Sequence, residues 1–343
     1  MSLVLKKIQT TAYLTIFFSC LSLWACSPQS GAEAEDELSH AQYVFTYAEN
    51  QNEGYPTTEG ARYFAELVKK RSDGRILINV EGNARLGDEE SVVRQLSYGG
   101  IDFARLSIAT LSRQIPELET LMLPFLYRDA DHMWRVLDGE IGDSFMETLS
   151  GTGLFPLSWY DAGARNFYNS VRPVRRPEDM KGMRIRVQNS EIMEDLVRAL
   201  GAEPVEAVYS EVQEMLQLHE ADGAENNLPS YMSEGHYLEA RYYTVDEHSR
   251  VPELQLISEA TWELLDDSDQ ALIAECAEES AVYERERWAE YEEYARKQAE
   301  QEGCELIWLT PEERADFKAH TDAAFSRYYD QAKEWIVQIQ AVE

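Results

Sequence analysis

The sequence predicts an α/β protein of two lobes, each a mostly parallel sheet flanked by helices, with one long helix spanning both. Three observations lead to this prediction. The chain of 343 residues is long enough for two domains of ordinary size. Strand and helix patterns alternate in two successive blocks. A charged stretch rich in Ala, Glu and Tyr, 267–302, then follows with neither Gly nor Pro, as a long helix requires.

The first block has the order strand, helix, strand, helix, strand. Residues 42–48 have the alternation and composition of a strand. Thr57 or Thr58 can cap the helix that follows, which extends to Arg71. The later elements of this block are predicted as strands at 76–80, 101–106 and 155–160, helices at 89–98 and 130–149, and a loop at 116–127. The order implies parallel strands joined by covering helices.

The second block opens at Gly163 and has the same kind of pattern. It is predicted to hold strands at 164–169, 183–187, 204–208 and 221–225, with helices at 191–200 and 211–219 between them. Strands at 244–245 and 251–258 lead back toward the first lobe. A helix over 267–302 extends about 50 Å, enough to brace both lobes, and a last helix begins at Thr310-Pro311. We therefore predict lobe I at 42–162 with 252–291, and lobe II at 163–251 with 292–343.

The N-terminus has the pattern of an export signal. Lys6 and Lys7 precede an uncharged, mostly apolar run over 8–24, and Leu23-Trp24-Ala25-Cys26 then resembles a bacterial lipobox. We expect a signal peptide at 1–25, a lipid on Cys26 and a flexible tether at 26–41. The alternatives are an uncleaved anchor helix and an ordinary cleaved signal. The protein is thus expected in the periplasm or on the outer face of the cytoplasmic membrane.

Two further cysteines, Cys276 and Cys304, are expected to be unpaired thiols. Cys276 lies within the predicted helix 267–302, and Cys304 follows its end. At about 1.5 Å per residue, a straight helix separates the two sulfurs by far more than a disulfide can span.

Composition and motifs argue against several classes of function. The chain has 63 acidic and 31 basic residues, a formal net charge of −32, which disfavours binding to nucleic acid. Hydrolase, phosphate-binding, dinucleotide-binding and zinc-protease signatures are absent from the sequence. The six histidines are scattered, and none pairs with a cysteine at metal-binding spacing. We therefore predict no catalytic residue, no cofactor and no metal site.

An arginine at a strand end is the best candidate for a binding residue. In strand 183–187, Arg186 lies on the face opposite the apolar residues and near the C-terminal end, just before Ser190, which can cap the next helix. Ligands bind at this edge of open α/β sheets, where a guanidinium can grip a carboxylate through two parallel hydrogen bonds. Arg165 and Asn226 are predicted to lie at the same edge. A structural salt bridge is the alternative role for such an arginine.

Several stretches resemble the DctP-type solute-binding proteins of TRAP transporters. They occur in family order from about Tyr43 to the C-terminal helices: Leu86-Gly87-Asp88, Ile101-Asp102-Phe103, Gly182-Met183-Arg184-Ile185-Arg186-Val187-Gln188-Asn189, Ala199-Leu200-Gly201-Ala202, Tyr209-Ser210-Glu211-Val212 and Asp222-Gly223-Ala224-Glu225-Asn226. The resemblance implies a two-lobed periplasmic-binding-protein-like fold that closes on its ligand. It also implies transport through separate membrane subunits, driven by an ion gradient.

The resemblance further implies which residues contact the ligand. Arg186 matches the arginine that pairs with the ligand carboxylate. The other matching positions of the second lobe are Arg165, Asn226, Asn189 and Tyr209. The remaining expected contacts are Glu49, Asn50, Asp88, Arg105, Ser107 and His248. The stretches 47–51, 102–105 and 246–248 look most like members that bind glucuronate or galacturonate.

Structural roles and other functions remain open alternatives at this point. Glu49 and Asp88 are equally compatible with a helix cap or a solvated position, and His248 with a packed loop residue. The ligand has alternatives in a C4-dicarboxylate or another hydroxy acid. An exported enzyme acting on sugar acids, or an adhesion lipoprotein without a small ligand, are the rival classes.

Overall fold

The structure, a computed structural model, describes residues 40–343. The predicted signal peptide, Cys26 and almost all of the predicted tether lie outside the described residues. The strands within 40–343 are β1 Tyr43–Ala48, β2 Ile76–Glu81, β3 Phe103–Ser107, β4 Leu154–Tyr160, β5 Ala164–Asn169, β6 Arg184–Val187, β7 Glu203–Glu206, β8 Gly223–Asn226, β9 Tyr242–Arg250, β10 Glu253–Ser258 and β11 Glu305–Trp308. They form a five-stranded sheet in the order β2-β1-β3-β10-β4 and a six-stranded sheet in the order β11-β9-β5-β8-β6-β7.

Helices cover both sheets. They are α1 Pro56–Arg71, α2 Glu89–Ser97, α3 Ile108–Leu111, α4 Ala130–Leu137, α5 Glu140–Glu147, α6 Glu191–Ala199, α7 Val212–Gln217, α8 Leu228–Ser233, α9 Glu259–Trp262, α10 Asp267–Gln301, α11 Pro311–Ala324, α12 Ser326–Gln331 and α13 Lys333–Ala341. We call the five-stranded sheet and the helices packed on it the first lobe, and the six-stranded sheet with its helices the second lobe. The two-lobed α/β fold expected from the sequence is confirmed.

The first lobe follows the predicted β-α-β-α-β order. Strand β1 pairs in parallel with both β2 and β3, and α1 lies across one face of this sheet. Phe64 of α1 meets the ring of Phe103 edge-on at 5.5 Å, and Tyr47 stacks on the same ring. All three side chains are buried. Each large apolar side chain buried in this way contributes about 1.5–3 kcal/mol. The apolar cluster between α1 and the sheet therefore stabilises the first lobe.

The strands that cross between the lobes make both sheets mixed. Five of the nine strand pairings are parallel, and the four antiparallel ones all involve β5 or β10. These two strands enter their sheets directly from the other lobe, without a covering helix that would return the chain to a parallel direction. The first crossing passes through Gly163, which has φ +61, and a Cβ there would lie 2.9 Å from Nε1 of Trp288. Glycine is therefore required at this crossing.

The long predicted helix is present as α10, with 35 residues and a length of about 52 Å. Its N-cap, Asp266, accepts hydrogen bonds from the backbone N–H groups of Ser268 and Asp269, both at 2.9 Å. Near its start it contributes Ile273 to the apolar core of the first lobe, and near its end Ala295 to that of the second lobe. Helix α10 therefore braces both lobes.

The structure differs from the prediction in the N-cap of α1 and in the continuity of the helix predicted at 130–149. Tyr55, not a threonine, is the N-cap of α1, and the hydroxyls of Thr57 and Thr58 are buried without a hydrogen-bond partner in residues 40–343. The helix predicted at 130–149 is two helices, because the extended backbone of Gly139 interrupts it. The second one then folds back so closely that a Cβ on Gly142 would overlap the carbonyl of Leu137.

The C-terminal region is more divided than predicted. Strand β11, which the sequence analysis missed, pairs in parallel with β9, and three short helices follow. The last helix, α13, contacts the first lobe: His132 Nε2 lies 2.9 Å from the carbonyl of Ile339, and the rings of Phe145 and Trp335 are 4.7 Å apart. The C-terminal segment thus packs beside both sheets. The lobe boundaries remain a proposal.

The two cysteines within residues 40–343, Cys276 and Cys304, are both free, as expected. Burial raises the pKa of the Cys276 thiol to about 11, so that this thiol is protonated at neutral pH. Within the same residues, no helix combines the length and the apolar character needed to cross a membrane.

Candidate ligand-binding site

A cavity of about 190 Å³, with mostly polar and charged residues among those that line it, lies between the two lobes. Strands β1, β6 and β8 end at it, so side chains at and after their C-terminal ends face the cavity, as in other α/β sheets. We call its two sides the first-lobe wall and the second-lobe wall. The first-lobe wall includes Asn50, Asp88, Glu89, Glu90, Arg105 and Glu253. The second-lobe wall includes Arg165, Arg186, Asn189, Tyr209, Asn226 and Glu234.

Arg186 is a buried cation with no acidic partner among residues 40–343. Its residue is 2% exposed, and its Nε and Nη2 both donate to the carbonyl of Ala207, at 3.0 and 2.6 Å. Burial lowers the pKa of the Arg186 guanidinium, although nearby Glu225 partly offsets this effect. A guanidinium has five N–H groups, so three of them have no protein acceptor in the described residues. An isolated buried charge is unfavourable, and an anionic ligand in the cavity would neutralise it.

Arg165, by contrast, is neutralised inside the protein. Its Nε and Nη2 form a bidentate ion pair with the carboxylate of Glu225, and its Nη1 donates to Oδ1 of Asn226 at 3.1 Å. Burial alone would raise the pKa of Glu225, but Arg165 and His248 bring it down to about 2. Arg165 therefore offers a hydrogen-bond donor to the cavity without a net charge. The internal ion pair that was an alternative for Arg186 occurs at Arg165.

His248 lies behind this pair and does not line the cavity. It is fully buried, with its ring stacked on Phe167 at 4.2 Å. Its Nδ1 is 2.9 Å from Oδ2 of Asp246, and its Nε2 is 3.6 Å from Oε2 of Glu225. Burial opposes protonation, but the two carboxylates raise the pKa of His248 above its ordinary value. His248 thus supports Glu225, which in turn orients Arg165.

Arg105 is the buried guanidinium of the first-lobe wall, and three carboxylates surround it. Nε and Nη2 pair with Glu49, and Nη1 donates to Glu89 at 3.1 Å. Nη2 also donates to Asn50. Oε2 of Glu253 lies 2.9 Å from Nη1 but is not aligned to accept a hydrogen bond. Although burial opposes it, the charges of Glu253 and Glu49 raise the pKa of Arg105 well above its ordinary value.

Contacts across the cleft hold the two lobes together in this structure. Asn52 of the first lobe donates to Glu234 of the second at 2.7 Å, and the Tyr209 hydroxyl donates to Gln51 at 3.1 Å. At the mouth of the cavity, Arg113 donates to Asn189 of the second lobe. The same guanidinium is 3.3 Å from the carboxylate of Glu206. The structure therefore represents a closed cleft.

Comparison with known proteins identifies the family. Residues 47–332 match the DctP model, described as bacterial extracellular solute-binding protein, family 7. The chain belongs to the DctP family. It is therefore a solute-binding protein of the TRAP type, as the sequence resemblance indicated.

Relatives and solved structures agree with this assignment. A solute-binding protein of Chromohalobacter salexigens is 34% identical over 81% of this chain and 81% of its own length. A TRAP periplasmic solute-binding protein of Roseobacter denitrificans, solved with bound β-D-glucuronate, is 32% identical with a TM-score of 0.84; the match covers 88% of this chain and all of that one. One of Xanthobacter autotrophicus, solved with β-D-galacturonate, is 35% identical with a TM-score of 0.83, covering 87% of this chain and all of that one.

The structure brings most of the expected contact residues of this DctP-family protein to one cavity. Eight of the eleven expected positions line it: Arg186, Arg165, Asn226, Asn189, Tyr209, Asn50, Asp88 and Arg105. The side chain of Asp88 is also the N-cap of α2, accepting from Ser91 N at 2.7 Å. Glu49 and His248 lie behind the walls, and Ser107 caps α3. None of these three lines the cavity.

Several residues of the DctP-family site were missed by the sequence analysis. Glu225 neutralises Arg165, Glu253 borders the cavity, and Arg113 bridges the cleft. Glu225 could have been found, because it directly precedes Asn226 at the predicted strand end. Glu253 and Arg113 have no local signal, since each reaches the site only through the packing of distant segments.

Proposed function

We propose that this DctP-family protein captures a hexuronate, such as glucuronate or galacturonate, and delivers it to TRAP membrane subunits for uptake. One observation carries the proposal: Arg186 is a buried guanidinium beside a polar cavity with no acidic partner in the described chain. A single carboxylate supplies the missing charge through two parallel hydrogen bonds. The many carboxylate and amide groups of the remaining wall can then form hydrogen bonds with the hydroxyls of a sugar acid.

The neighbours solved with glucuronate and galacturonate support this choice of ligand. Their matches span the whole of those chains, which supports a complete two-lobed binding site in this chain. Because the two walls belong to different lobes, a ligand that contacts both stabilises the closed state alone. Ligand thereby shifts the equilibrium between open and closed forms by its differential affinity. The membrane subunits would recognise the closed form.

A binding screen tests the ligand class. The purified mature chain is titrated calorimetrically with glucuronate, galacturonate, a C4-dicarboxylate, lactate and sialic acid, and with glucuronamide, in which a neutral amide replaces the carboxylate. We expect the two hexuronates to bind and glucuronamide to bind at least about 100-fold more weakly, because a buried charge left without its partner costs about 3–5 kcal/mol. Tight binding of glucuronamide contradicts the proposal, and so does a failure of all the acids to bind.

Variants of one strand provide a matched comparison. Arg186→Ala is expected to weaken hexuronate binding by at least about 100-fold, and Arg186→Lys to restore it only in part, since lysine lacks the planar fork. Arg184→Ala is the control: Arg184 lies two residues away on β6, but it pairs with Asp222 outside the cavity. Equal affinities in Arg184→Ala and Arg186→Ala would refute the role of Arg186.

Two further parts of the proposal concern catalysis and anchoring. As a carrier, the protein should release its ligand chemically unchanged; conversion of a hexuronate during incubation would instead support the exported enzyme. The lipobox-like Leu23-Trp24-Ala25-Cys26 supports a lipid on Cys26. Cys26→Ser expressed in a bacterial host is then expected to leave the membrane fraction and to lose the mass of the lipid.

A further inference from the structure

Charged side chains are distributed unequally between the two walls of the cavity. Five carboxylates and three guanidiniums line it, and most of the carboxylates lie on the first-lobe wall. The second-lobe wall has Arg186 as its uncompensated cation, since Glu225 neutralises Arg165. A ligand's first carboxylate therefore has one place to bind. The surroundings of a second carboxylate depend on the opposite wall.

Among residues 40–343, the first-lobe wall has no cation available for a second carboxylate. Arg105 already donates four hydrogen bonds, two to Glu49, one to Glu89 and one to Asn50, out of five N–H groups. Its remaining N–H lies beside Glu253. One guanidinium among three carboxylates leaves this wall with a formal excess of negative charge. Asp88 and Glu90 add further negative charge at the cavity surface.

Glu253 shows how this wall responds to an added negative charge. Glu253 lines the cavity, and its Oε2 is buried and has no hydrogen-bond partner in residues 40–343. Burial, together with the charges of Glu89 and Glu49, raises the pKa of Glu253 to about 8 even though Arg105 opposes the shift. The same surroundings act on a ligand carboxylate placed there. A neutral hydroxyl placed at this wall, in contrast, can donate or accept a hydrogen bond without adding charge.

We infer that the first-lobe wall restricts the site to acids with a single carboxylate and polar, uncharged remaining groups, and that Glu89, beside Glu253, rejects diacids. This inference rests on the proposed function, because it concerns the end of the ligand opposite Arg186. A hexuronate satisfies both walls. A hexaric acid, which differs from it by a second terminal carboxylate, and a C4-dicarboxylate satisfy only the second-lobe wall.

Calorimetry with matched acids tests the inference in the wild-type chain. Glucarate is expected to bind at least about 100-fold more weakly than glucuronate, and galactarate correspondingly more weakly than galacturonate. A smaller difference overturns the inference and leaves the proposed function intact, provided that glucuronate binds. Binding of neither acid overturns the proposed function and this inference with it. Tight binding of the diacids alone overturns both.

Charge-neutral variants separate the role of charge from that of ligand shape. In Glu89→Gln/Glu253→Gln the Arg105–Glu49 pair remains, and the excess of negative charge around Arg105 is removed, while Asp88 and Glu90 are unchanged. We expect the ratio of glucuronate to glucarate affinity to fall at least about tenfold. Glu278→Gln, which removes an exposed carboxylate from α10, is the control and should leave the ratio unchanged. If the double variant does not fold, Glu89→Gln alone is measured, with a threefold decrease expected. An unchanged ratio in the folded variant overturns the inference.

Discussion

Arg105 and Arg186 lie in opposite walls of one cleft and are equally buried, each 2% exposed. Their surroundings differ in charge. Arg105 is surrounded by the carboxylates of Glu49, Glu89 and Glu253, whereas within residues 40–343 Arg186 donates only to a backbone carbonyl. The pKa of Arg105 is accordingly raised, and burial lowers that of Arg186. Burial alone therefore does not mark a ligand-binding arginine. What marks it is the absence of a protein counter-ion.

The largest expected effect separates the two arginines by stability. In Arg105→Met the buried carboxylates of Glu49 and Glu253 and the partly buried one of Glu89 lose their cation. Removing one partner of a buried ion pair costs about 3–5 kcal/mol. We therefore expect the free energy of unfolding, measured in denaturant without ligand, to fall by that amount. Combining Arg105→Met with Glu49→Gln should recover part of the loss. A destabilisation below about 1 kcal/mol would show that the first-lobe wall does not depend on Arg105.

Arg186→Met should behave in the opposite way. It removes an uncompensated buried charge, so the free energy of unfolding without ligand is expected to stay within about 1 kcal/mol of wild type or to increase. Added hexuronate should stabilise the wild type by about 2.7 kcal/mol at a hundredfold excess over Kd and leave the variant nearly unaffected. Thermal unfolding with and without ligand measures both quantities. Strong destabilisation of the ligand-free variant would place Arg186 with Arg105 as a structural residue.

A smaller, pH-dependent effect is expected at Glu253. Its pKa is raised to about 8 from an ordinary 4.5, so below pH 4.5 the carboxyl is neutral in both folded and unfolded chains. Between these values the unfolded chain ionises first, which favours unfolding as the pH rises. The Glu253→Gln variant does not undergo this decrease in folding stability with rising pH. We expect its stability relative to wild type to increase between pH 5 and 8 by about 1 kcal/mol or more in chemical unfolding. A difference independent of pH would contradict the assignment.

The smallest effect is expected at the mouth of the cleft. Arg113 bridges Asn189 and Glu206 across the cleft, but its side chain is about half exposed. Exposed ion pairs contribute about 0.2–1 kcal/mol. Arg113→Ala should therefore raise the rate of hexuronate release, measured by stopped-flow fluorescence, by no more than about fivefold. The effect should shrink in high salt. A hundredfold change would mean that this contact, and not Arg186, dominates closure.

Much of the fold was predictable because its signals are local. The helix Asp267–Gln301 follows from a stretch without Gly or Pro and a capping Asp266. The strand 184–187 follows from alternation, which also places Arg186 opposite the apolar residues. The division of 130–149 was missed although Gly139 lies within it. Strand β11 and the short C-terminal helices were missed because tertiary packing decides where such short elements begin and end.

By itself the sequence determined the two-lobed architecture, the bracing helix and the set of polar side chains at the sheet edge, since each depends on periodicity or on neighbouring residues. Only the tertiary structure decided which arginine remains available. Arg105 is neutralised by Glu49, 56 positions away, and Arg165 by Glu225, 60 positions away. Coulomb interactions depend on distance in space and on burial, which no local pattern specifies.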